Sequence, residues 1–337
     1  VVKIHQKYIS RCIELAKNGL GTTYPNPLVG SVIVHNDLII GEGWHQQSGE
    51  AHAEVNAINS VRNKNLLVNS TIYVSLEPCS HFGKTPPCAD LIIKHKIPKV
   101  IIGTQDPFAK VCGAGIKKLK EAGCEVIIGV LEKECQELNK RFFTFHQKKR
   151  PYIILKWAET ADGLIAPHHK DIQKPVWISN SYSRQLTHKW RTEEQAILIG
   201  TQTVLDDNPH LTARDWQGTN PIRIVLDKKK KISKENIIFD KSAPTFILDE
   251  TVLNHSKNSV SSIIEWLYQN QIQSIIIEGG SRTLQHFIDH NYWDEARVFR
   301  GTNTFLKGII APSVSSKKVK RKKILNDELL IFSNYDQ

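Results

Sequence analysis

Apolar residues recur along this chain at two periods, one near 3.6 and one near 2, and they switch often enough to indicate layers of helix and strand. Over residues 3–18 the apolar positions, Tyr8, Cys12, Leu15 and Ala16 among them, share one face and predict an amphipathic helix. The turn signal Pro25, Asn26, Pro27 separates it from two strand-like runs at 28–34 and 38–43. A helix is predicted from near His52, a β-branched and aromatic strand at 71–76, a helix from near Cys88 and a strand at 99–102. A further strand at 125–128 lies between helices at 115–122 and 130–145. The polar, basic stretch Gln147, Lys148, Lys149, Arg150, closed by Pro151, interrupts the alternation. Beyond it the pattern predicts strands at 152–156, 196–199, 222–226, 245–248 and 274–277, with helices at 181–193, 261–270 and 281–289. The reading is two α/β domains, 1–146 and 151–337, without an internal repeat.

A length of 337 residues suits two domains, and 40% hydrophobic with 23% charged residues gives each enough apolar material for a core. No apolar run approaches the roughly 20 residues that span a bilayer, and the first residues lack the apolar region of a signal peptide, so a cytoplasmic enzyme without a membrane partner is expected. All six cysteines lie in the first half, where a chain of this size needs no disulfide framework; Cys12 and Cys124 read as core residues. The net charge of +11 suits a phosphorylated substrate and nucleic acid equally. Its densest clusters, at 228–231 and 317–323, read as a solvated loop or edge.

The chemistry concentrates in two segments. Residues 50–54 read Glu-Ala-His-Ala-Glu, and Cys79 and Cys88 each follow proline. One imidazole and two thiolates, His52, Cys79 and Cys88, make a tetrahedral zinc set with a fourth position open, the arrangement of a catalytic centre; a structural zinc site is the alternative. Both ligand segments, 50–54 and 77–88, fall at predicted strand-to-helix junctions, where a helix N-terminus helps keep Cys79 and Cys88 as thiolates. Zinc lowers the pKa of bound water to about 7. Glu54, two residues from a ligand, can then carry the proton from that water to a departing amine, the division of labour found in nucleobase deaminases.

The second half is less explicit. The segment Glu278, Gly279, Gly280, Ser281, Arg282, Thr283 follows an apolar strand and opens a helix, so its backbone N–H groups can approach a phosphate; a plain turn is the alternative. Residues 200–209 likewise follow a strand, as a polar loop into a short helix.

Eight residues separate Cys79 from Cys88, where nucleobase deaminases commonly have two. With this long Pro-Cys-Ser-His…Pro-Pro-Cys loop, the run Pro25-Asn26-Pro27-Leu28-Val29-Gly30, Gly43-Trp44-His45 and Gln105-Asp106-Pro107, the chain resembles the bifunctional riboflavin-biosynthesis deaminase/reductase family. In the second half the resemblance continues through Lys156, Asp162-Gly163, Trp177-Ile178-Ser179, residues 203–209, residues 211–214, residues 221–227 and Glu278-Gly279-Gly280.

The resemblance implies a cytidine-deaminase-like three-layer α/β/α domain followed by a dihydrofolate-reductase-like α/β domain. It implies one zinc per chain and NADPH, and as substrate the diamino-hydroxypyrimidine ribosylamine 5′-phosphate made from GTP. Nucleic acid is not expected as a partner, and a homo-oligomer is. By position, Asn26, His45 and Lys84 would contact the deaminase substrate. Ala158, Trp177, Thr203, Asp207 and the turn Gly280, Ser281, Arg282, Thr283, Leu284, Gln285, His286 would face NADPH. Lys156, Leu211, Arg214 and Glu278 would face the reductase substrate, with Arg214 as a bidentate phosphate clamp. Lys156 reads either as polarising the ribose or as snorkelling to water. Two places depart from the family pattern: Pro175 replaces a small polar residue, removing a side-chain hydrogen bond, and residues 299–305 differ from the usual Ala-Pro-Lys strand ending. A nucleic-acid base deaminase, or a deaminase with a vestigial second domain, are the competing readings, and NADPH binding separates them from the first.

Overall fold

The computed structural model describes residues 2–82, 86–108, 113–170, 172–254, 256, 258–316 and 318–334. The chain divides into two compact units, 1–149 and 150–337. The division has a local cause. Lys149 closes the last helix of the first unit in a left-handed turn (φ 55°). Arg150 then grips Asp294 through two nitrogens at 2.6 and 2.8 Å, and so belongs to the second unit.

The first unit runs α1 (Val2–Ala16), β1 (Gly30–His35), β2 (Leu38–Trp44), α2 (Ala53–Ser60), β3 (Thr71–Leu76), α3 (Cys88–Lys94), β4 (Lys99–Thr104), α4 (Ala114–Glu121), β5 (Glu125–Ile128), α5 (Glu132–Leu138) and α6 (Lys140–Lys148). Its sheet has the order β2-β1-β3-β4-β5; β1 is antiparallel to both neighbours, and β3, β4 and β5 are parallel. Alternate side chains serve opposite cores, as the pleat requires. Ile33, Ile72, Val74, Val100 and Ile102 pack with residues of α2, α3 and α4. Val32, Val34, Tyr73 and Ile101 pack with α1 and Cys135 of α5. The result is the three-layer arrangement, with the central strands buried on both faces. Cys12 is wholly buried and Cys124 half-buried.

The single helix expected at 130–145 is instead two, broken at Asn139. Asn139 is 2% exposed, and its side chain pairs with the backbone of Leu28 in both directions, accepting from the N–H and donating to the carbonyl, each at 2.8 Å. The amide is needed in that tertiary contact, and the chain bends to deliver it.

The second unit runs β6 (Tyr152–Glu159), β7 (Leu164–Pro167), α7 (Ser181–Glu193), β8 (Ala196–Gly200), α8 (Thr201–Asp207), β9 (Ile222–Leu226), β10 (Thr245–Leu248), α9 (Glu250–Leu253), α10 (Ser259–Gln269), β11 (Ser274–Gly279), α11 (Ser281–Asp289), β12 (Glu295–Arg300), β13 (Gly308–Ile310), β14 (Val319–Ile324) and β15 (Asp327–Ser333). Among the described residues the main sheet has the order β10-β9-β8-β11-β6-β12-β15-β14, parallel from β10 to β12 and antiparallel thereafter, and β13 pairs with β7 in a separate ribbon. The largest core joins Ile153, Leu155, Leu198, Ile275 and Ile277 to α10 and α11. The opposite face packs Ile154, Ile276 and Phe299 with Trp190 of α7.

The sequence pattern predicted neither β7 nor β12 to β15. The basic cluster at 317–323 forms most of β14, the edge of the sheet, where charged side chains discourage further strand pairing. Lys317 itself lies outside the described residues. Phe299, in the stretch that departs from the family pattern, is fully buried and stacks on Trp190 at 5.3 Å. Among the described residues no helix is long and apolar enough to cross a membrane.

Candidate active sites

In the first unit the chemistry collects at the ends of strands and the starts of helices. His52 is the N-cap of α2, Cys79 lies beyond the end of β3, and Cys88 opens α3. Their ligand atoms all lie within 4.8 Å of one another. His52 Nδ1 is 3.6 Å from Cys79 Sγ and 3.3 Å from Cys88 Sγ. A tetrahedral zinc with bonds of about 2.0 Å to nitrogen and 2.3 Å to sulfur needs N···S edges of roughly 3.5 Å, so this set fits the ion. The Cys88 N–H donates to Cys79 Sγ at 3.3 Å. Cys79 is drawn down to about 4, first by the Cys88 thiol and also by His52 and that N–H, while its neighbour Cys88 is pushed up.

Glu54 is the second residue of α2 and 3% exposed. Burial first, and the charge of Cys79 second, push its carboxyl up to about 7. Asn26 Nδ2 is 3.0 Å from His45 Nε2, and His45 Nδ1 is 3.1 Å from the Ala51 carbonyl. This pattern fixes the tautomer: Nδ1 donates to the carbonyl and Nε2 accepts from the amide. Burial lowers the pKa of His45, and its ring meets that of His52 edge-on at 5.4 Å. The structure therefore brings Asn26 and His45 to the metal set. Lys84 lies outside the described residues. Asp106, which the sequence reading did not single out, is buried beyond β4 and raised to about 6, by burial first and then by Glu77 and Cys79 against the opposing pull of Phe108 N–H and His81. Its signal was present in the Gln-Asp-Pro run, which carried the resemblance but was given no role.

The second unit holds a cavity of about 930 Å³, a size that suits a cofactor with its substrate. Of the expected cofactor contacts, Ala158, Trp177, Thr203 and Asp207 line it, as do Gly280, Ser281, Arg282, Thr283 and Leu284. Gln285 and His286 do not. They sit a turn further along α11 and are engaged elsewhere: Gln285 with Ser313 and Asp289, His286 with Ser259. Gly280 caps α11 without a side-chain bond, which leaves the first N–H groups of a nine-residue helix open toward the cavity. Such a helix start can accept an anion.

All four expected reductase-substrate residues, Lys156, Leu211, Arg214 and Glu278, line the same cavity, and so does Pro175. Glu278 accepts from Arg191 at 3.0 and 2.7 Å and lies 3.9 Å from Lys156. Burial alone would raise its carboxyl, but Arg191 and Lys156 together hold it down at about 2. Lys156 does not snorkel: its side chain is 15% exposed, and burial lowers its pKa despite Glu278. Leu211 is buried in a left-handed conformation (φ 55°), and the adjoining Thr212 carbonyl accepts from His188 Nδ1 at 2.9 Å and from Arg191 Nη1 at 3.0 Å. Among the described residues Arg214 has no carboxylate at ion-pair distance; its one side-chain bond is a 3.4 Å contact with Thr212 Oγ1. Lys170 pairs with Asp207. Arg184, His188 and Arg191 also escaped the sequence reading. Their spacing of four and three places them on one face of α7, a polar stripe where a core-facing helix would be apolar.

Profile comparison matches residues 2–104 to the cytidine and deoxycytidylate deaminase zinc-binding region and residues 151–303 to the RibD C-terminal domain. The riboflavin biosynthesis protein RibD of Aquifex aeolicus is 36% identical over 98% of this chain and 98% of its own length. That of Bacillus amyloliquefaciens is 38% identical over 93% of this chain and 88% of its own length. The crystal structure of a Thermotoga maritima diaminohydroxyphosphoribosylaminopyrimidine deaminase/5-amino-6-(5-phosphoribosylamino)uracil reductase superposes with a TM-score of 0.89 at 40% identity, covering 98% of this chain and 99% of that one. A zinc-fitting His-Cys-Cys set beside a buried glutamate in one unit, a large cavity in the other, and identity that runs through both place the chain in the RibD family of bifunctional riboflavin-biosynthesis deaminase/reductases.

Proposed function

We propose that the first unit hydrolyses the exocyclic amine from the diamino-hydroxypyrimidine ribosylamine 5′-phosphate made from GTP, and that the second reduces the ribosyl group of the product to a ribityl chain with NADPH. What carries this reading is the pairing within one chain of the His52, Cys79, Cys88 set with a cavity lined by Arg214, which among the described residues has no carboxylate at ion-pair distance.

In the first unit His52, Cys79 and Cys88 would hold zinc, which when bound supplies a Lewis acid that makes water acidic at neutral pH. Glu54 takes the proton from the attacking water oxygen and delivers it to the departing exocyclic nitrogen. Its burial keeps bulk water from competing for that proton. Asn26 commits its N–H to His45, which leaves Oδ1 to accept from a pyrimidine N–H.

In the second unit the open N–H groups of α11 seat the cofactor phosphates, and NADPH when bound supplies the hydride equivalent. Arg214 takes the substrate 5′-phosphate, supplying the contact ion pair that it does not make among the described residues. Lys156, steadied by Glu278, meets the sugar hydroxyls. With Pro175 in the cavity wall the chain makes no side-chain hydrogen bond to substrate at that position. The test is the purified full chain given the diamino substrate: ammonia should appear first, and NADPH absorbance should fall only as deaminated product accumulates. Ammonia without NADPH oxidation would reduce the chain to a deaminase with a vestigial second unit; deamination of RNA would favour the nucleic-acid reading.

A further inference from the structure

Glu77 stands two residues before the ligand Cys79 and is 4% exposed, yet among the described residues no cation lies within ion-pair distance of it. What it has instead is backbone. Its Oε2 accepts from the N–H groups of Asp106 at 3.3 Å and Gly113 at 3.0 Å, and its Oε1 from those of Gly115 at 3.0 Å and Ile116 at 3.3 Å. These four donors supply what water would otherwise give a buried carboxyl. They also come from both ends of one segment, residue 106 just past β4 and residues 113–116 at the start of α4. The contact is close on the other side too: a Cβ on Gly115 would come within 2.0 Å of the Pro78 carbonyl oxygen, so α4 begins directly against the residue that precedes Cys79.

The arrangement is more than a helix cap. A cap needs one or two donors from the first turn, whereas Glu77 adds the N–H of Asp106, whose buried carboxyl feels the charges of Cys79 and His81. One side chain therefore joins the zinc-ligand segment to Asp106 and to the start of α4.

We infer that Glu77 is a positioning residue for deamination, holding Asp106 and the start of α4 at a fixed place against the Cys79 segment, so that the pocket meets the pyrimidine already shaped. The inference rests on the deaminase reading of the first unit. It makes a distinct claim: loss of Glu77 harms binding of the pyrimidine in the formed pocket and leaves the metal in place.

The experiment is Glu77→Gln in the full chain. Whichever oxygen becomes the amide nitrogen, two of the four N–H groups then face a donor. The expected result is one zinc per chain as the folding control for the first unit, unchanged NADPH oxidation of deaminated product by the second, and a fall of about 100-fold in kcat/KM for deamination, carried mainly by KM. On an Asp106→Asn background the same substitution should cost less than about threefold, because the residue it acts through is already changed. Wild-type KM in Glu77→Gln, loss of zinc, or full additivity with Asp106→Asn would each overturn the inference. If Glu77→Gln does not fold, Gly113→Ala strains the same bond from the other end, at a left-handed φ of 77°; it should raise KM in the same way, and an unchanged KM there also overturns the inference. A wild-type chain that releases no ammonia defeats the deaminase reading itself, a result that cannot be mistaken for any of these.

Discussion

Proton transfer at the deaminase site must serve two atoms, the attacking oxygen and the leaving nitrogen, and Glu54 is the side chain we propose for both. Its position follows from spacing. His52 ends the loop as the N-cap of α2, so the residue two further on lies in the first turn beside the metal set, and it is buried there rather than solvated. Because it does not ligate, its role separates from metal binding. Glu54→Gln should retain one zinc per chain, while ammonia release falls by about 10²- to 10⁴-fold, the range of a lost general acid–base group. Elemental analysis beside a turnover assay checks this; a variant that loses zinc and activity together would make Glu54 part of the metal's support. Arg214 shows the complementary logic at the same scale: a cavity-lining cation that among the described residues makes no ion pair fits an anionic ligand better than it fits structure.

Elements decide how such residues meet, and here the local pattern was only partly sufficient. The central strands were legible because they are buried on both faces and read as continuous apolar runs, and the helices on them because their apolar stripes keep the 3.6 period. His52, Cys79, Cys88 and Glu54 were legible because metal chemistry restricts residue type and order. The break at Asn139 was not, since it depends on Leu28, far away in sequence. Strand β14 was hidden for a different reason: an edge strand of lysines and arginine gains its structure from pairing with β15, not from an apolar face of its own. The Asn139 contact makes its own prediction. Asn139→Ala leaves the Leu28 N–H and carbonyl without their partner in a buried place, which should destabilise the first unit by about 2–4 kcal/mol. Because Leu28 adjoins the turn that carries Asn26, the KM for deamination should rise as well. Urea unfolding followed with a deaminase assay reads both, and a stability within experimental error of wild type would show that α5 and α6 hold the turn without the amide.

At the scale of the whole molecule the two units carry different chemistry, and acid and chelator should separate them. In the second unit Glu278 is held down at about 2 against an ordinary 4.5; its contribution to stability is full above 4.5 and disappears as pH falls toward 2. His188 is lowered by burial first and then by Arg191, so its buried neutral form is favoured above 6.5 and loses ground as pH drops below it. Both slopes have the same sign, and the urea midpoint of the second unit should fall steadily on acidification from pH 7, with Glu278→Gln flattening the part below about 4.5. Metal removal acts on the other half. Among the described residues the only cluster able to hold an ion is His52, Cys79 and Cys88, all in the first unit. Dialysis against a strong zinc chelator should therefore abolish ammonia release and leave NADPH oxidation of the deaminated pyrimidine within about twofold of the untreated enzyme. Readdition of Zn²⁺ should restore the first activity alone, because only deprotonated thiolates and a neutral imidazole are needed to rebind it. Parallel loss and recovery of both activities would mean that the second unit depends on the metal-bound state of the first, and would sink their independence.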